Sequence, residues 1–113
     1  MRPALPLPER IELAASWFRL LADPTRLRIL HLLESGRRTV GEIVAALRTS
    51  QPNASKHLLA LRQAGLVRSQ RAGNFIYYSI ADPVVFRLCQ LACHGALGAV
   101  RGRLGARFSL RPH

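Results

Sequence analysis

The sequence predicts a mainly α-helical fold with one β-hairpin, in the order α-α-α-α-β-β-α, and three observations carry that expectation. Apolar residues recur at helical spacing up to residue 64 and again beyond residue 82. Between Leu66 and Ile80 the period drops to two, on either side of Ala72-Gly73-Asn74, a group that tolerates the left-handed backbone of a tight turn. Start and stop signals punctuate the chain at Asp23-Pro24, Thr39 to Glu42, Ser50, Gly65 and Asp82-Pro83.

At 113 residues the chain has room for one domain. Residues 1–7 are proline-rich and expected to be flexible, 8–104 form the domain, and 105–113 make a basic tail. The first helix runs from Pro8 to Ala22, with Ile11, Ala14, Ala15, Phe18 and Leu21 at helical spacing. Asp23 then caps a second helix whose first position is Pro24, where a missing N–H costs nothing. Leu27, Leu30 and Leu33 share one face of it, and Gly36 ends it. Thr39-Val40-Gly41-Glu42 has the spacing of a capping box, opening a short helix that turns Ile43, Val44 and Leu47 inward. After Arg48-Thr49, Ser50 caps a fourth helix, Gln51 to Ala64, with Ala54, Leu58 and Leu61 on its buried face. The hairpin follows, Leu66 to Arg71 and Phe75 to Ile80, with Arg68, Gln70 and Arg71 expected to flank its tip. Asp82-Pro83 caps a last helix reaching about Leu104. A helix, a tight turn, a second helix and then a basic hairpin make a winged helix-turn-helix arrangement.

Charge narrows the function. Seventeen basic residues against six acidic ones give a net charge of +11, an excess that suits a polyanionic partner. No acid lies between Glu42 and Asp82, whereas Arg48, Lys56, Arg62, Arg68 and Arg71 do. In this arrangement the second helix of the pair presents its first turns to base edges in the major groove of double-stranded DNA. Those turns carry Gln51, Asn53, Ser55, Lys56 and His57. Gln and Asn match adenine, Lys donates to guanine, and Ser pairs with either. Arg68 and Arg71 suit phosphate or minor-groove contact.

Three blocks resemble the ArsR/SmtB repressors: Leu21-Ala22-Asp23-Pro24-Thr25-Arg26-Leu27-Arg28-Ile29-Leu30, Ser50-Gln51-Pro52-Asn53-Ala54-Ser55-Lys56-His57-Leu58, and Leu61-Arg62-Gln63-Ala64-Gly65-Leu66-Val67. The likeness covers roughly residues 10–95, with the blocks in order. The resemblance implies a homodimer joined through its first and last helices, binding an inverted-repeat operator and repressing transcription. It also implies that Gln51, Pro52, Ser55 and Lys56 take base-contacting positions, that Val40 lies beside the DNA, and that Arg71 to Asn74 form the wing tip.

Many such repressors release DNA when a metal or metalloid binds, and neither of two familiar ligand sets is present. The third-helix stretch reads Thr39-Val40-Gly41-Glu42, without a thiol. In the last helix Asp82 stands at the first ligand place, but Val84, Gly95 and Gly98 occupy the other three. What remains is Cys89, Cys93 and His94. Spacing i, i+4 puts the two thiols on one helix face, with Cβ atoms roughly 6 Å apart. Thiolates there would favour zinc, Cu(I) or, following the resemblance, trivalent arsenic or antimony. Oxidation to an intersubunit disulfide is the other sensing option, and an intrahelical i, i+4 disulfide would be strained. Against both stands a plain reading in which the cysteines are small buried hydrophobes with no ligand input.

Other classes are weaker. A thiol-redox or metal-handling protein would want the Cys-x-x-Cys spacing that lowers a thiol pKa. No phosphate-cradling glycine loop or paired catalytic carboxylates point to an enzyme. The apolar stretch Val84 to Val100 is interrupted by Arg87, Gln90 and His94, and a membrane partner is not expected. Without an apolar leader after Met1, a cytoplasmic location is expected.

Overall fold

The computed structural model describes residues 4–110, with side chains through Arg103. Five helices and three strands follow in the order α1 (Leu7–Leu21), α2 (Pro24–Leu33), β1 (Arg38–Thr39), α3 (Val40–Leu47), α4 (Gln51–Gln63), β2 (Val67–Ala72), β3 (Phe75–Ile80) and α5 (Pro83–Leu110). The caps expected from sequence are formed. Asp23 Oδ1 accepts from the backbone N–H groups of Thr25 (2.8 Å) and Arg26 (3.1 Å), opening α2. Thr39 and Glu42 satisfy each other's amides at 3.0 and 3.2 Å, the reciprocal box at the start of α3. Ser50 Oγ accepts from Asn53 N–H at 3.2 Å, opening α4. At the far end of α4, Leu66 N–H reaches the Leu61 carbonyl and Gly65 N–H the Arg62 carbonyl, with Gly65 at φ +78°. That is a Schellman stop, and the buried Leu61 and Leu66 accompany it.

Helices α2, α3 and α4 meet around Ile29, Leu30, Leu33, Ile43, Ala54, Leu58 and Leu61, all under 4% exposed. Leu66 and Val67 bring the start of the hairpin into the same core, and Val85 and Cys89 bring the first two turns of α5. Burying seven large aliphatic side chains this fully contributes roughly 1.5–3 kcal/mol each before the entropy of ordering the chain is set against it. The core therefore seats α4 as a rigid element whose other face is free for function.

Three features differ from the sequence expectation. The sheet has three strands, ordered β1-β3-β2, because Arg38 and Thr39 pair with Tyr78 and Tyr77. A two-residue strand carries no detectable period, which is why it is silent in the sequence. The hairpin loop is shorter by one residue: Ala72 pairs with Phe75, leaving Gly73 and Asn74. Only Gly73 has positive φ (+64°), as a type II′ turn requires. Finally, α5 continues to Leu110, past the expected end near Leu104. The remaining residues of the expected tail, 111–113, and the first three of the expected flexible start lie outside the described residues.

Beyond Cys89 the described part of α5 is exposed on all sides, including Leu91 (71%), Leu97 and Val100. On α1, Leu7, Ile11, Leu13 and Phe18 are exposed too. The segment Pro83–Arg103, with mean hydropathy 1.3, is long and apolar enough by composition to cross a bilayer. Arg87, Gln90 and His94 therefore do not exclude a span by themselves, contrary to the sequence argument.

Candidate nucleic-acid interface

Two elements carry the candidate site, α4 and the β2–β3 wing. The inward stripe of α4 is Ala54, His57, Leu58 and Leu61, spaced i, i+3, i+4, i+7. The opposite face exposes Gln51, Pro52, Ser55, Lys56, Leu59, Arg62 and Gln63. Four of the residues expected at base edges, Gln51, Pro52, Ser55 and Lys56, thus share one open surface. Asn53 is half-buried and turns back, its Nδ2 donating to Thr49 Oγ1 at 2.8 Å. Val40, at the first position of α3, is half-buried and packs against the core.

His57 is a correction. It is 6% exposed, and its Nδ1 accepts the Nε–H of Arg26 at 3.1 Å, so the imidazole points into the protein and not toward a duplex. Burial holds it neutral by lowering its pKa below the ordinary 6.5, with Lys56 and Arg26 acting the same way and Asp23 opposing. The spacing already contained this: His57 falls on the Ala54–Leu58–Leu61 stripe, and a polar residue there is buried by the helix period whatever its chemistry.

In the wing, Arg71 and Asn74 are exposed at the tip. Arg68 is the second correction. Paired with Ser79, it stands at the root of the hairpin, and its guanidinium donates to the Ala81 carbonyl at 2.8 Å. Several contacts and exposed groups of the wing escaped the sequence reading. Phe75 (60% exposed) and Ile76 (45%) project into solvent. Arg37 stacks its guanidinium over the Tyr77 ring at 4.0 Å, and Arg62 ties α4 to the wing by donating to Ser69 Oγ at 3.2 Å. The alternation of β3 marked its aromatics as sheet residues; only the register shows which strand partner each has.

Electrostatically the surface is one-sided. Among the described residues the one base–carboxylate contact within 4 Å is His31–Glu34 at 3.5 Å, so no carboxylate lies within 4 Å of Lys56, Arg62 or Arg71. Cations left without partners are what a phosphate backbone recruits.

The three candidate sensor residues do not form a cluster within one chain. Cys89 is buried, and burial, then Cys93, then Glu34 push its thiol pKa upward. Cys93 is exposed and borders an open cleft of about 540 Å³ with Leu27, Arg28, His31, Leu32 and Leu47. His94 is exposed, and among the described residues no three His, Cys, Asp or Glu side chains converge on a metal-sized site. The three-ligand set of Cys89, Cys93 and His94 within one chain is therefore not formed.

Residues 23–69 match the family described as "Bacterial regulatory protein, arsR family". A probable mercury resistance operon repressor of Streptomyces lividans is 45% identical over 78 residues, which are 69% of this chain and 62% of that protein. The chain thus spans a little under two thirds of that relative. The crystal structure of Rv0081 from Mycobacterium tuberculosis is 36% identical, with a TM-score of 0.78 over 89% of this chain and 99% of its own. The homodimeric winged helix-turn-helix DNA-binding domain Mb0332 of Mycobacterium bovis is 35% identical, with a TM-score of 0.75 over 85% and 90% of the two chains.

Proposed function

The chain belongs to the ArsR family of bacterial regulatory proteins, DNA-binding transcription regulators and not enzymes, and from that premise we propose that it is a repressor that binds an inverted-repeat operator as a homodimer. The observation that carries the reading is the exposed polar face of α4 beside cations with no acidic partner. In the proposed complex Gln51, Ser55 and Lys56 meet base edges, with Pro52 packed at the groove and Val40 beside the backbone. Arg71 and Asn74 at the wing tip meet the neighbouring phosphates or minor groove. Dimerisation uses the exposed apolar residues of α1 and α5, among them Leu7, Ile11, Leu91 and Leu97. The homodimeric relative supports this use of the surface over a membrane role. The two α4 helices then sit one groove repeat apart, about 34 Å, and the protein works in the cytoplasm with its DNA. Selection of bound duplexes from a random pool tests the reading: an enriched inverted repeat is expected, and recovery of unenriched sequence at low ionic strength contradicts it.

A second reading adds a sensor. The mercury-resistance relative and two cysteines one helical turn apart favour release of DNA by a thiophilic ion or a thiol oxidant at Cys89 and Cys93. Because one protomer supplies no third ligand among its described residues, the ion would bridge the α5 helices of both. Titrating Hg(II) or As(III) into the reduced protein on its operator should release the duplex. Cys89→Ser and Cys93→Ser variants that respond like the parent would refute the sensor and leave the repressor reading intact.

A further inference from the structure

Most of the seat of α4 is apolar. Ala54, Leu58 and Leu61 are at most 1% exposed, but hydrophobic contact is non-directional and fixes the rotation of a helix about its axis less sharply than a directional bond does. His57 is the buried polar side chain of the described core, and its bond to Arg26 is the directional contact between α2 and the middle of α4. Arg26 is itself held at two further points. Its backbone N–H donates to Asp23 Oδ1 at 3.1 Å, and its Nη1 donates to the Leu20 carbonyl at 3.2 Å. One residue at the start of α2 thus ties that helix through its side chain to the end of α1 and the centre of α4.

We propose that Arg26 is a positioning residue for DNA reading: through His57 it sets the rotation of α4 and hence which atoms of Gln51, Ser55 and Lys56 a duplex meets. This rests on α4 being the element that reads DNA. The geometry makes the effect large. Side-chain tips lie about 5–6 Å from a helix axis, so a rotation of about 20° moves them by roughly 2 Å. That displacement exceeds the distance window of a hydrogen bond, and even part of such a rotation would weaken contact with a base edge.

The lock has a defined protonation state. Nδ1 accepts, so the imidazole is neutral and carries its proton on Nε2. An imidazolium has two donors and no acceptor, so protonation breaks the bond and sets a cation against Arg26. The charged groups facing His57 are Asp23 and Arg26 from the start of α2 and Lys56 from α4 itself, two cations against one carboxylate. The lock is closed at neutral pH and opens as the pH falls below the ordinary imidazole range.

The test uses the duplex enriched by the parent protein and a scrambled duplex of equal length, with preference defined as the ratio of their affinities. Arg26→Gln should lower the preference by about tenfold while binding of the scrambled duplex changes little, since phosphate contacts are indifferent to small rotations. Parent preference should hold from about pH 8 to about pH 6.5 and decline in more acidic buffer. His57→Asn places a non-titrating carbonyl acceptor near the position of Nδ1 and should keep the preference flat throughout. The imidazole ¹⁵N shifts of the parent give a reading independent of variant folding, and the Nε2–H tautomer is expected. Preference unchanged in Arg26→Gln, an equal pH dependence in His57→Asn, or an Nδ1–H tautomer in the parent overturns the inference while the parent still discriminates. A parent that never prefers one duplex overturns the DNA-reading role of α4, and this inference with it.

Discussion

Removing one cation from the wing tip yields a number that the proposed complex must reproduce. Arg71 is exposed, has no carboxylate within 4 Å among the described residues, and lies beside the two-residue turn at Gly73-Asn74. If each wing of a homodimer neutralises one phosphate through Arg71, two contacts vanish in Arg71→Ala. Each phosphate contributes about 0.9 to the slope of log affinity against log salt, so the slope should shallow by about 1.8. Between about 50 and 200 mM salt, roughly 0.6 log units, the parent should therefore lose roughly tenfold more affinity than the variant. Fluorescence anisotropy of a labelled duplex at four salt concentrations reads the slope directly. Arg19→Ala removes the same charge from the exposed surface of α1 and should leave the slope alone. A parental slope in Arg71→Ala, or an equal drop in Arg19→Ala, would refute the assignment of the wing to phosphate contact.

Further expectations concern stability and reactivity. Ser50→Ala removes the acceptor for Asn53 N–H at the start of α4 and should cost about 1 kcal/mol in thermal unfolding at fixed protein concentration. Leu61→Ala, at a site with 0% exposure, should cost about 2–5 kcal/mol, and a loss below the cap variant's would mean the core is not seated as described. Acidification should lower the melting temperature in two stages. Neutral His57 is favoured in the fold, so its contribution is complete above 6.5 and is lost as pH falls through its lower folded value. The backbone N–H of Arg26 holds Asp23 below 3.8 and that of Thr39 holds Glu42 below 4.5, so their contributions are lost only in stronger acid. A melting temperature that rises from pH 6.5 to about 5 would contradict the first stage. With a colorimetric disulfide reagent, exposed Cys93 should react faster than buried Cys89, whose thiolate is disfavoured, and Cys93→Ser should abolish the fast phase.

Much of the fold that carries the candidate interface is legible in the chain because its signals are local. Asp23, Thr39 with Glu42, and Ser50 act on amides within three residues, so their spacing predicts the starts of α2, α3 and α4 without any knowledge of packing. The errors fall where a residue's role depends on distant neighbours. His57 has the chemistry of a base reader, and it took the partner helix, through Arg26, to show that its polarity is used inward. Arg68 sits close to the tip in sequence, yet the register with Ser79 sets it at the root.

The sequence by itself determined the helices, their caps, the hairpin, the uncompensated positive charge and the family. The family follows from the likeness of three sequence blocks, and the rest from short-range periodicity, backbone hydrogen bonding within a turn or two, and composition. Only the tertiary structure decided the third strand, the separation of Cys89 from Cys93 and His94 by burial, and the Arg26–His57 bond that seats α4. These depend on contacts between segments tens of residues apart, such as Thr39 with Tyr77 and Arg26 with His57, whose pairing no local pattern encodes.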